Sequence, residues 1–159
     1  MLCDKSLANH KIKGILALTY VNQPAFRMIN IPEEKKYSSN HIWIEMEDEF
    51  IGRCGLSEQF LEKLDRIIFI DFPEIDLEVR RGEKIARLES HIAFFDVISP
   101  VSGRITEINQ EVLVNPGIVN DDPLKDGWIY KIDVKEPNEF SELMFIDEYR
   151  DYILLSGDI

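Results

Sequence analysis

The chain has 159 residues, of which 45% are hydrophobic, and this is enough for one domain to bury a core without disulfides or metals. Its 30 Asp and Glu residues outnumber its 18 Lys and Arg residues, and the net charge of −12 repels the phosphate backbone of a nucleic acid. We therefore expect one domain that does not bind nucleic acid.

Residues 1–36 differ in charge from the rest of the chain. They carry six Lys or Arg and three Asp or Glu, net +3, which leaves −15 on residues 37–159. This asymmetry predicts an N-terminal extension at 1–36, either a tail or an added strand, ahead of one domain at 37–159. A mitochondrial targeting segment is the disfavoured alternative. Such segments are rich in Arg and Ser, whereas residues 1–30 contain a single Arg, Arg27, and a single Ser, Ser6.

No apolar run reaches the roughly 20 residues of a membrane-spanning helix. We therefore expect a cytoplasmic protein without a membrane partner, with the mitochondrial matrix as the alternative location.

The segments after Tyr37 predict a hairpin, a helix and a strand. His41 to Glu45 alternates apolar and polar residues, and an acidic turn and a second run from Phe50 follow it. Ser57 predicts the N-cap of a short helix whose apolar face is formed by Phe60, Leu61 and Leu64. The next run, Ile67 to Ile70, has the composition of a strand buried on both faces.

Two similar units of strand, glycine turn and strand come next, at residues 77–90 and 96–107. Between them, Glu89 to Asp96 predicts a connecting hairpin with a projecting tip. After Asn109 we expect a loop and then a strand at Trp128 to Ile132. Pro137 opens a predicted C-terminal helix with one apolar stripe, formed by Phe140, Leu143, Met144 and Tyr149. Many short strands with two peripheral helices predict a mainly β barrel or sandwich.

The sequence does not contain the residue patterns of an enzyme. It has no recognisable nucleophile with a base, no metal-ligand set and no phosphate-binding loop, so we predict no catalytic and no metal-binding residues. Cys54 is expected to be a small buried residue, because a free Cys is among the residue types most often buried. His91 follows a strand next to a turn, and we expect a solvated or hydrogen-bonded side chain there.

These segments, taken together, resemble the H protein of the glycine cleavage system, a relative of the lipoyl domains. The resemblance covers roughly residues 37–155 and needs no gap from Gly55 to Gly103. It implies a mainly β barrel-sandwich hybrid, with a short helix after Ser57 and a C-terminal helix. The matching stretches are Tyr37 to Trp43, Gly55-Leu56-Ser57, Phe69 to Glu74, Glu89-Ser90, Asp96, Ser99 to Gly103, Asn109, Val119 to Pro123 and Gly127-Trp128.

The resemblance implies one functional position. In that family a lysine in a Glu-Ser-Val-Lys-Ala pattern forms an amide with lipoic acid, and the arm carries an aminomethyl group between enzymes. This chain reads Glu89-Ser90-His91-Ile92-Ala93, so Ile92 stands at the acceptor position. An alkyl side chain has no nucleophilic nitrogen, and His91 is no substitute because acyl-imidazoles hydrolyse. We therefore expect no cofactor, and lipoic acid only if the register differs or the residue has been altered.

The predicted hairpin tip also carries Phe94 and Phe95, where the family has small residues. Burying such side chains contributes roughly 1.5–3 kcal/mol each, so exposure of all of them to water is costly. Three interpretations remain open: at least one Phe points inward, the tip docks on a partner protein, or it folds onto the protein's own surface. The candidate contact surface consists of Glu89, His91, Ile92, Phe94 and Phe95.

Two functions follow as hypotheses. The first is a non-lipoylated, H-protein-like binding or regulatory module whose partners are proteins of glycine cleavage or lipoate transfer. The second is a working lipoyl carrier of the aminomethyl group. The sequence identifies neither the partners nor the oligomeric state.

Overall fold

The larger of two antiparallel sheets has six strands. A computed structural model describes residues 34–157, and in it the six-stranded sheet runs in the order β1-β2-β3-β9-β8-β5. Its strands are β1 (Lys36–Tyr37), β2 (Ile42–Met46), β3 (Ile51–Leu56), β5 (Glu78–Val79), β8 (Gly103–Ile108) and β9 (Tyr130–Val134). The predicted extension at 1–36 lies outside the described residues except for its last three, of which Lys36 begins β1.

The smaller sheet has three strands in the order β4-β6-β7. They are β4 (Ile67–Asp71), β6 (Lys84–Ser90) and β7 (Phe94–Ile98). The predicted connecting hairpin is therefore confirmed as β6 and β7, joined by a turn at residues 91–93. The mainly β fold of two small sheets with a C-terminal helix is also confirmed.

Two of the short helices begin where a side chain accepts hydrogen bonds from their first backbone N–H groups. In α1 (Glu58–Leu64), the predicted N-cap Ser57 accepts a hydrogen bond from the Phe60 N–H at 3.2 Å. The loop predicted after Asn109 is wrong, because α2 (Gln110–Val114) and α3 (Ile118–Asp121) form there. Asn109 is the reason for α2, since its Oδ1 accepts from the Glu111 N–H at 3.1 Å.

The predicted single helix from Pro137 is two helices, α4 (Pro137–Ser141) and α5 (Ile146–Ser156). The interruption is a backbone bridge to β1. The Tyr37 N–H donates to the Met144 carbonyl at 2.7 Å, and the Met144 N–H donates to the Tyr37 carbonyl at 2.9 Å. An extended residue that pairs with a strand cannot continue a helix, so the chain bends before α5.

One hydrophobic cluster fills the space between the two sheets. The six-stranded sheet contributes Ile44, Ile105 and Ile132, and the three-stranded sheet contributes Leu88 and Val97. A smaller cluster of Tyr37, Trp43 and Tyr149 joins β1, β2 and α5. Trp43 lies opposite Gly55 in the register of β2 and β3, and a Cβ at Gly55 would lie 2.6 Å from the indole ring. Only glycine leaves room for the indole there.

The prediction that Ile67 to Ile70 is buried on both faces is wrong. Ile67 and Ile70 are buried, but Ile68 and Phe69 are exposed. The three-stranded sheet packs on the core through one face only, and at the β-bulge between Ile67 and Phe69 the side chains of Ile68 and Phe69 both turn outward. Over residues 34–157, no helix combines the length and the apolar character that crossing a membrane requires.

Candidate functional site

The side chain of Ser90 shapes the turn between β6 and β7. Ser90 is buried, and its Oγ accepts hydrogen bonds from the Ile92 N–H at 3.2 Å and the Ala93 N–H at 3.3 Å. The Ser90 N–H donates to the Ala93 carbonyl at 2.9 Å. These bonds satisfy the backbone of the turn, so its conformation is set by one serine rather than by the residues at its apex.

The turn is anchored to the start of β4. The His91 N–H donates to the Arg66 carbonyl at 3.2 Å, and His91 Nδ1 lies 3.9 Å from Asp65 Oδ2. Asp65 adopts a left-handed φ of 64° as it ends α1, which brings β4 directly beside the hairpin. The tip is thus exposed to solvent but held against a neighbouring strand.

Ile92 and Phe94 point into solvent. Ile92 is 62% exposed at the apex of the turn, and Phe94 is 58% exposed on the outer face of β7. The guanidinium carbon of Arg87 lies 4.7 Å from the centre of the Phe94 ring, a cation–π contact. Glu89 pairs with Phe94 across the hairpin and is half-buried. The predicted contact residues other than Phe95 therefore lie at the tip or on this outer face.

Phe95 points the other way. Its ring meets Phe60 of α1 edge-to-face, with centroids 5.7 Å apart, and Phe60 in turn stacks on His41 at 4.5 Å. Phe95 packs against the main core cluster. One of the two Phe residues thus points inward, as the first interpretation of the tip requires. Phe95 serves to attach the hairpin to α1.

A buried polar group extends this aromatic stack to the C-terminal helix. The Tyr149 hydroxyl lies 2.8 Å from His41 Nδ1 and 2.7 Å from Ser57 Oγ. Burial raises the pKa of Tyr149 to about 12, so the phenol stays protonated at neutral pH. His41 has a φ of 69°, and its ring is held from one side by Phe60 and from the other by Tyr149.

The turn offers little nucleophilic chemistry. Its three residues are His91, Ile92 and Ala93, and none carries a primary amine. Lys84, at the other end of β6, pairs with Asp96 through a 3.1 Å contact, and Lys63 lies in the last turn of α1. The turn residues therefore do not fit a lipoyl amide.

Cys54 is buried, as expected, and burial raises the pKa of its thiol to about 12. It is therefore not a nucleophile at neutral pH. In the part of the chain that the structure describes, no three His, Cys, Asp or Glu side chains are grouped as metal ligands.

Two features of this region were missed in the sequence. Phe69 lies beside Glu89 in the register of β4 and β6 and is 57% exposed. The bond between His41 and Tyr149 joins residues that are 108 positions apart. An alternating pattern in β4 would have indicated exposure of Phe69, but the bulge removes the alternation. Local sequence carries no signal for the second feature.

The chain is similar to known proteins over most of its length. The family model described as glycine cleavage H-protein matches residues 35–154. The glycine cleavage system H proteins of Thermotoga maritima and Halothermothrix orenii are 33% and 36% identical, over 74% and 79% of this chain and 94% and 97% of their own lengths. A crystal structure of the H protein from Mycobacterium marinum superimposes with a TM-score of 0.69 at 28% identity, covering 80% of this chain and 99% of that one. The chain therefore belongs to the glycine cleavage H-protein family.

Proposed function

We propose that this chain is an H-protein scaffold that does not carry lipoamide and that acts as a protein-binding or regulatory module. Its partners are proposed to be proteins of glycine cleavage or lipoate transfer. The observation that carries the proposal is the turn, where Ile92 occupies the exposed apex and no residue provides an amine. In this proposal Ile92 stands at the position of the family's lipoyl-lysine.

The packing beside the turn supports the same proposal. Phe95 meets Phe60, and Phe60 stacks on His41, so a continuous aromatic stack occupies the space between the hairpin and α1. Large rings at these positions fill the space on the side of the tip that faces α1 and make that side rigid. A hairpin that only contacts other proteins gains from such rigidity, because less side-chain freedom is lost on binding.

The second candidate function is that of a working lipoyl carrier. Its support comes from the relatives, which are named glycine cleavage system H proteins and are at least 33% identical to this chain. For this function a lysine away from the turn would have to accept lipoic acid. Lys84 is paired with Asp96, and Lys63 belongs to a helix rather than to an exposed turn.

Intact-protein mass spectrometry tests the proposal directly. The full chain is produced with lipoate and a lipoate ligase, and we expect its mass to equal that of the unmodified polypeptide. A gain that matches one lipoyl group would overturn the proposal, and peptide mapping would then identify the modified lysine.

Ile92→Lys provides the complementary experiment, with Ile92→Arg as a control that has the same charge but no primary amine. Lipoylation of the lysine variant alone would show that the loss depends on this one residue. If the lysine variant is not lipoylated either, the divergence from the family's attachment site extends to Phe94 and Phe95.

The binding function needs its own measurement. The immobilised chain is tested by biolayer interferometry against the purified glycine cleavage and lipoate-transfer enzymes of the same organism. We expect saturable binding of at least one of them, and failure of all of them to bind would contradict the proposed partners.

A further inference from the structure

The outer face of the three-stranded sheet carries an apolar patch that is built by strand register. Phe69, Glu89 and Phe94 form one row across β4, β6 and β7, and we call these three residues the outer row. Successive rows of a sheet point to opposite faces, and the next row is turned into the core. The two Phe residues of the outer row therefore flank Glu89 on the solvent side, 57% and 58% exposed.

Two further apolar side chains enlarge this patch. Ile68 is turned outward by the bulge in β4, and Ile92 is exposed at the adjoining turn. Together with the two Phe rings they present on the order of 400 Å² of apolar surface. Scattered apolar residues are ordinary on a protein surface, whereas a patch of this size matches the largest patch of a typical monomer, which is often functional.

Charged side chains border the patch. The next outward row across the sheet consists of Asp71, Arg87 and Asp96. Arg87 covers the Phe94 ring, and Lys84 is paired with Asp96. With Glu89 in the patch itself, carboxylates outnumber cations here, and residues 37–159 as a whole carry a charge of −15.

A second copy of the chain does not match this face. A stable interface buries about 800 Å² on each partner, roughly twice what the patch offers. Two copies would also bring chains of net charge −12 together, and such like-charge contact opposes association. A cleft in a partner protein can contact both this face and the two edge strands of the three-stranded sheet, β4 and β7. These edge contacts supply the interface area that the patch alone lacks.

We infer that the outer row, with Ile68 and Ile92, is a docking face for a protein cleft that is apolar at its floor and rimmed by Lys or Arg. This inference rests on the proposed function, because it names the surface through which the binding module acts. It differs from the surface predicted from the sequence, since Ile68 and Phe69 join the contact face and His91 and Phe95 leave it. The partner's cations meet Asp71, Glu89 and Asp96, so binding weakens as salt rises.

The test uses a probe with this chemistry: a short amphipathic peptide of Leu and Lys, with the matching Leu and Glu peptide for comparison. Titration into the ¹⁵N-labelled full chain is followed by NMR. We expect saturable amide shifts in β4, β6 and β7 with the Lys peptide, a Kd that increases with salt, and no saturable binding of the Glu peptide.

The double variant Phe69→Ser with Phe94→Ser should raise the Kd of the Lys peptide by about tenfold or more. Both residues are exposed, so the fold is retained, and far-UV circular dichroism checks this. The matched control is Leu113→Ser with Val114→Ser, two exposed apolar residues of α2, which should leave Kd unchanged. Shifts centred outside the three-stranded sheet, equal binding of the two peptides, or no effect of the double variant would each overturn the inference.

Sedimentation equilibrium examines the competing occupant. A wild-type dimer that the double variant converts to a monomer would assign the face to a second copy and contradict the basic cleft. Failure of the inference is distinct from failure of the proposed function, since lipoylation is read by mass and docking by NMR. If the chain is not lipoylated and does not bind the peptide, only the inferred docking face is contradicted.

Discussion

The Tyr149 hydroxyl joins three elements at a single atom, since it contacts His41 before β2 and Ser57 at the start of α1. Tyr149→Phe removes both bonds inside a buried site. We expect the free energy of unfolding to fall by about 1–3 kcal/mol, the usual cost of losing buried hydrogen-bond partners. Denaturant unfolding measures this, and Tyr152→Phe is the control because the hydrogen bond from its hydroxyl to the Ser39 carbonyl, at 3.4 Å, is exposed to solvent. Equal losses of unfolding free energy in the two variants would show that the buried hydrogen bonds of Tyr149 contribute no more to stability than the exposed one of Tyr152.

Glu45 gives the protein a pH-dependent contribution to stability. Burial alone would raise the pKa of its carboxyl, but hydrogen bonds from Arg53 at 2.6 Å and Lys35 at 3.3 Å hold that pKa below its ordinary value of 4.5. Because the pKa is lower in the folded state, the stabilisation is complete above pH 4.5 and is lost as the pH falls through the folded pKa.

The variant Glu45→Gln should therefore lose its stability deficit relative to wild type as the pH falls below 4.5. Unfolding free energies measured across this range check the prediction. Arg53→Met removes the cation instead of the carboxylate, and its deficit should shrink over the same range. A deficit that stays constant with pH in both variants would show that this ion pair does not control the acid response.

At the level of the elements, the hairpin of β6 and β7 is attached to α1 through one ring. Phe95→Ala removes the edge-to-face contact with Phe60 and leaves a space beside the core. We expect a loss of about 3 kcal/mol in unfolding free energy, at the lower end for a Phe truncation because Phe95 is only half-buried. Phe94→Ala is the matched control, since that ring faces solvent and should cost less than about 1 kcal/mol. Similar losses would mean that the assignment of the two faces is incorrect.

Elements whose signals are local were predictable from the sequence. Ser57 was identified as a cap because a suitable side chain precedes three apolar residues at helical spacing. Asn109 caps α2 in the same way, yet α2 has only five residues and its Leu113 and Val114 are exposed, so no apolar stripe marks it. A single helical turn without such a stripe looks like a loop in sequence.

Other features depend on contacts between distant parts of the chain. The break between α4 and α5 is caused by the pairing of Met144 with Tyr37, which no helical pattern near Pro137 reveals. The exposure of Phe69 follows from a bulge and from the absence, within residues 34–157, of a second layer over the three-stranded sheet. At the candidate site, the turn and its missing amine are therefore predictable, whereas the sequence alone does not show that Phe95 faces the core and Phe94 faces solvent.

At the scale of the whole molecule, one core joins the two sheets, and this predicts cooperative unfolding. Leu88 of the three-stranded sheet belongs to the same hydrophobic cluster as Ile105 and Ile132 of the six-stranded sheet. Among residues 34–157, the buried apolar residues of the three-stranded sheet all belong to this shared cluster, so that sheet should not persist alone. A protein-binding face on the small sheet is then as stable as the entire domain.

Leu88→Ala tests this cooperativity. Leu88 is 1% exposed, and its truncation should lower the free energy of unfolding by about 3 kcal/mol. Native-state hydrogen exchange reports the sheets separately, and we expect the slowest amides of β6 in one sheet and β9 in the other to lose the same protection. An exposed substitution in the same strand, Arg87→Ala, should affect both sheets only slightly. If protection fell in β6 while β9 kept its wild-type value, the small sheet would unfold on its own, and ligand binding at its outer face would be uncoupled from the stability of the rest.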